Sequence, residues 1–121
     1  MRSSSKGSVS IESVILIPLF LMTLFVIVEA SLWVHASSVA QAAAQDGARA
    51  GTVLGGYELE GQQVAEAILF ARDVGDGWRV TTQATSTSLT VTITGSSTSV
   101  IPGMSWDVHE SATLPWEGGP R

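Results

Sequence analysis

Gly7-Ser8-Val9-Ser10-Ile11-Glu12, followed by the apolar run Val14-Ile15-Leu16-Ile17-Pro18-Leu19-Phe20-Leu21-Met22, opens the stretch whose reading decides the fold. It closes on an alanine-rich segment ending Gly47-Ala48-Arg49-Ala50-Gly51. Residues 13–28 carry no charge, and at 1.5 Å per residue they make about 24 Å of helix. That falls slightly short of a ~30 Å hydrocarbon core. Extension to Val34 gives about 33 Å, which spans, and brings Glu29 to the outer boundary. There a carboxylate costs less than the roughly 2.5–3.5 kcal/mol of a charge at the bilayer centre. Pro18 lacks an N–H and crowds the preceding turn, so a kink or local melting is expected at that point.

The alanine-rich extension keeps the helical pattern from Ser31 to Ala50. Ala36, Ala40, Ala44 and Ala48 recur every four residues along one face, with Ala43, Gly47 and Ala50 alongside. Small residues at this spacing let another helix approach closely. A solvent-facing helix could show the same composition, because alanine is the best helix former.

Before the run lies a leader, residues 1–7, with two cations and no acid. The positive-inside rule places it in the cytoplasm. A secretory signal cut near Ala40-Gln41-Ala42 is the competing reading. Such signals have an apolar core of about 7–15 residues, and this run is longer and begins beside an acid.

Beyond Gly51 about 70 residues remain, a size at which a core is marginal without staples. The chain has no cysteine and a formal charge of −5, which loss of Arg2 and Lys6 would deepen by two. Phosphate contacts need basic patches, so nucleic acid is not an expected partner. Thr52–Gly56 is a break with a turn at Gly55-Gly56. Glu58–Asp73 has the period of an amphipathic helix, its apolar face built from Val64, Ala65, Ile68, Leu69 and Ala71. Gly75-Asp76-Gly77 turns the chain. Trp78–Thr85 alternates moderately. Leu89, Val91 and Ile93 alternate strictly with Thr90, Thr92 and Thr94, the mark of a half-buried strand. Gly95–Ser99 is expected as a polar loop, and Trp106–Ala112 as a third strand with Trp106, Val108 and Ala112 inward. Thr113–Arg121 is expected to fray. The fold class is therefore α+β: a long N-terminal membrane-spanning helix with its extension, then a second helix packed on a small antiparallel sheet. The divisions are a leader at 1–7, the helix at 8–51, a small extracytoplasmic domain at 57–114 and a flexible tail at 115–121.

No constellation for catalysis stands out. His35 and His109 are far apart, without ligand-spaced partners, so neither a metal nor another cofactor is expected. No phosphate loop or nucleophile elbow is present, and an enzyme is not expected.

One motif makes the chain itself a substrate. With Ser8 as the first mature residue, Glu12 becomes the fifth. A short basic leader ending in glycine, an apolar helix and this glutamate resemble the class III signal of type IV pilins and pseudopilins. Ser8 departs from the phenylalanine or methionine common there. Together with Pro18, Val28-Glu29-Ala30 and the Gly-Ala-Arg-Ala-Gly ending, residues 7–51 resemble the TadE-like family, minor pseudopilins of tight-adherence (Tad/Flp) pili. The resemblance implies cleavage between Gly7 and Ser8 by a prepilin peptidase. It also implies a role in pilus assembly, adherence or the related secretion apparatus, and insertion in membrane lipid of the inner membrane. The implied partners are other pilins or pseudopilins and the Tad assembly platform. In such assemblies the new Ser8 amine pairs with Glu12 of a neighbour and sets the axial register. The alternative is a single-pass anchored binding module, for which Glu12 is an ordinary boundary acid.

Overall fold

The computed structural model describes residues 11–53 and 55–120, and residues 2–10 only as backbone of the first helix. Helix α1 spans Arg2–Thr52 and α2 spans Glu58–Arg72; strands β1, β2 and β3 span Gly75–Ala84, Ser88–Ser97 and Trp106–Pro115. The strands form one antiparallel meander with β2 in the centre. The C-terminal half of α1 and the whole of α2 cover one face of that sheet. The architecture is α+β, in the expected order.

The α1 helix runs through Pro18 without interruption. Proline removes one backbone bond and disturbs one turn, while the strongly apolar residues on both sides keep the remaining ladder. Helix α2 ends at Asp73, which takes the left-handed conformation and donates its N–H to the Leu69 carbonyl. Ala65 and Leu69 are buried on α2, Ile68 packs partly against the core, and Ala71 is exposed rather than part of the inward face.

The two helices meet through glycine. A Cβ on Gly47 would lie 2.7 Å from the Gly61 carbonyl oxygen, and one on Gly61 would lie 2.6 Å from that of Gly47. Backbone touches backbone there, which no larger residue permits. The core beneath contains Ala36, Val39, Ala40, Ala43, Ala44 and Ala48 of α1 with Ala65 and Leu69 of α2. The sheet adds Leu89, Val91 and Ile93 from β2, all fully buried, with Val80 and Val108 beside them. Full burial of each such aliphatic side chain stabilises by about 1.5–3 kcal/mol.

Trp106, expected inward, is 41% exposed, because its indole turns to the Glu29 carboxylate instead of the core. Two further expectations are corrected. Gly95–Ser97 continue β2 instead of forming a loop, pairing with Trp106–Val108 of β3. The cause lies in β1, where a bulge between Asp76 and Arg79 re-aims Trp78. The Trp78 indole lies against Gly95, where an added Cβ would collide with the ring. The absent side chain at Gly95 is what admits it. The tail is the second of these. Thr113–Pro115 belong to β3, and Trp116 is only 7% exposed. Its indole N–H donates to the Thr85 carbonyl at 2.8 Å and its backbone N–H to that of Thr87 at 3.2 Å. Glu117 donates its backbone N–H to the last residue of α1, Thr52, at 2.8 Å. An indole of this size is worth more buried than frayed, and the β1–β2 turn supplies an acceptor for its N–H.

Candidate functional site

The α1 helix has two unlike halves. From Ile11 to Val28 every described side chain is exposed, including Ile15, Phe20, Met22 and Phe25. From Glu29 onward the helix enters the core. An apolar helix left bare over that length requires lipid or neighbouring helices around it.

The junction between the halves is built on Glu29, the sole charge between Glu12 and Asp46 if His35 is neutral. Glu29 is 8% exposed. Ser99 Oγ donates to its carboxylate at 2.9–3.0 Å, the Val100 backbone N–H donates to Oε1 at 2.6 Å, and Trp106 Nε1 donates to Oε2 at 2.5 Å. These donors all come from the end of β2, the start of β3 and the loop between them. Trp33, one turn further along α1, donates its indole N–H to the Asp107 carbonyl at 2.9 Å. Carboxylate acceptors give the shorter, stronger kind of hydrogen bond. The arrangement is a clasp that fixes the β2–β3 loop against the helix at the base of the domain. Chemically it holds the loop, with the Ser99 hydroxyl, the Val100 N–H and the Trp106 indole all donating to one carboxylate.

Beside the clasp is an apolar cavity of about 510 Å³. It is lined by Phe25, Val26 and Trp33 of α1 and by Ile101, Met104 and Trp106.

The residues singled out from the sequence are placed as follows. Gly7 and Ser8, the expected processing pair, lie outside the residues whose side chains are described. Glu12 is exposed on the bare half of α1. Ala36, Ala40, Ala44 and Ala48 are each fully buried. They are covered by the chain's own α2 and sheet, so this face is not free for a helix from elsewhere. His35 and His109 are both exposed. Among the described residues no cluster of His, Cys, Asp or Glu is arranged to hold a metal ion. The Glu29 clasp is the feature that sequence reasoning missed. Its one sequence signal was a lone acid in an otherwise uncharged helix.

Among the described residues one helix, Ile11–Thr52, is long and apolar enough to cross a membrane. With the small α+β unit on its C-terminal half, this arrangement is consistent with a single-pass membrane protein. Residues 7–49 match the model of the TadE-like protein family, a match that points to a protein associated with Tad pili. No curated protein and no solved structure matches significantly.

Proposed function

We propose that the chain is a TadE-like pseudopilin. It would be a structural or assembly component of a Tad-type pilus or of the related secretion apparatus, with no catalytic role. The observation that carries this reading is the division of α1. A bare apolar half bearing Glu12 precedes a half that holds a folded domain. A chain of that shape can pack laterally with other helices through its bare half while presenting its domain outside. The family match supports the reading further, since it begins at Gly7, the last residue of the expected leader. In this reading a prepilin peptidase cuts between Gly7 and Ser8, the N-terminus is cytoplasmic and the domain extracytoplasmic. Other pilins or pseudopilins and the assembly platform are the partners.

A removable secretory signal fits the fold poorly. A cut after Ala42 would strip Ala36, Val39 and Ala40 from the core and Glu29 and Trp33 from the clasp. The mass of the mature chain tests the proposal. A start at Ser8 supports it, an intact Met1 or Arg2 favours the anchored binding module, and a start after about Ala42 favours secretion. Gly7→Ala should slow or block processing while membrane insertion persists, since insertion depends on residues 13–34.

A further inference from the structure

The geometry points to a second membrane contact: the β2–β3 loop, Val100–Met104, dips into the outer boundary of the bilayer beside the helix that anchors the chain. The inference rests on anchoring by α1, and not on any pilus role.

The first observation is the character of the loop. From Ser96 to Trp106 the sequence holds no charged residue. Its large apolar side chains point outward: Val100, Ile101, Met104 and Trp106 are 40–44% exposed. A solvated loop joining two strands has no use for four such residues in one patch.

The second observation is its height along α1. Ile101 and Met104 share a cavity with Phe25 and Val26, which belong to the charge-free run. If the hydrocarbon ends near Trp33 or Val34, as the span length requires, Phe25 lies about 12 Å deeper along the axis. A loop that reaches the level of Phe25 reaches the acyl boundary. The patch is thus continuous with the surface that meets lipid, and the same lipid is the occupant that fits it. Trp33 and Trp106, both partly exposed, stand where interfacial tryptophans gather, one on the helix and one on the sheet.

The clasp explains how this depth is tolerated. Glu29 would be costly there as a bare carboxylate. Ser99, Val100 and Trp106 surround it with donors instead, and those donors belong to the same loop. The loop therefore shields the acid and enters the boundary as one unit. With no cation in the patch, headgroup charge should not be needed for the contact.

The test uses the full chain in phosphatidylcholine bilayers. Because the chain has no cysteine, single nitroxide labels can be placed cleanly. Labels at Met104→Cys and, separately, Ile101→Cys are compared with Leu21→Cys on the bare half of α1 and Gln83→Cys on the exposed face of β1. Collision with oxygen, enriched in lipid, is read against collision with a water-soluble nickel chelate. The expected result is a several-fold preference for oxygen at Met104 and Ile101, as at Leu21, with the reverse at Gln83. Nickel accessibility at both loop labels equal to that at Gln83 would overturn the inference while leaving the anchor intact. Shielding from both reagents would overturn it in favour of a protein neighbour. An aqueous signal at Leu21 would overturn the anchor and the loop contact together.

Discussion

Trp106 donates its indole N–H to the carboxylate of Glu29, a residue 77 positions earlier in the chain. This bond ties the first residue of β3 to the point where α1 passes from its bare half into the core. The domain is therefore fixed to the helix at its base as well as along its side, and its orientation to the helix axis is set by side chains. A domain hung only from the Thr52–Gly56 turn would lack that constraint.

Glu29→Ala should free the β2–β3 loop. It leaves the Ser99, Val100 and Trp106 donors without their acceptor; they are only partly buried, so the cost of each falls below the ~1–3 kcal/mol of a fully buried unsatisfied donor. Hydrogen exchange of the detergent-solubilised chain should rise at residues 99–106 and stay unchanged in residues 89–93. Uniform protection across the loop would show that packing alone holds it.

The glycine crossing should tolerate no side chain. Gly61→Ala gains about 1 kcal/mol in helix propensity. Its Cβ would also fall 2.6 Å from the Gly47 carbonyl oxygen, overpacking that typically costs about 1–3 kcal/mol. The net change should be a loss, read as a lower midpoint in urea unfolding. Ala42→Leu, at an exposed position on α1, should leave that midpoint in place.

Trp116 should matter as a core residue does. Truncation of a buried tryptophan to alanine costs about 3–5 kcal/mol, a large share of the stability of a domain this small. Trp116→Ala should leave the domain open to limited proteolysis under conditions where the parent chain resists. Pro120→Ala, four residues on and exposed, should behave as the parent does.

Glu12→Gln separates the assembly role from simple anchoring. Loss of the charge should ease insertion slightly, since an ionised group near hydrocarbon is disfavoured. Cleavage after Gly7 should persist. Association with pilus machinery should fall, because a neighbour's Ser8 amine would lose its counter-ion in a low-dielectric setting. The processed fraction and co-purification with pilus components are measured on the same variant. Normal association would make Glu12 an ordinary boundary acid and the anchored binding module the better reading.

Much of the fold was legible along the chain. The charge gap over residues 13–28 and the absence of glycine between Ser31 and Asp46 marked one long helix. The strict alternation of Leu89, Val91 and Ile93 with threonines identified the central strand and the face it buries, and all three are fully buried. These signals are local: a period of 3.6 or of 2 is carried by neighbours within one element, and the hydrophobic effect acts on it wherever the element packs.

What tertiary structure alone decided involves residues distant in sequence. The sequence put Glu29 at a membrane boundary, but only the fold brought Ser99, Val100 and Trp106 to it. The alanine stripe at 36, 40, 44 and 48 announced close packing without saying against what; the chain's own α2 and sheet take that place. Gly95–Ser97 had the composition of a loop and became strand because the bulge before Trp78 laid an indole over Gly95. Trp116 stood among prolines and glycines and was drawn into the core by the β1–β2 turn, which offers its N–H an acceptor. In each case the deciding contact lies many residues away, and its energy, from burial and from satisfied donors, exists only once the elements have met.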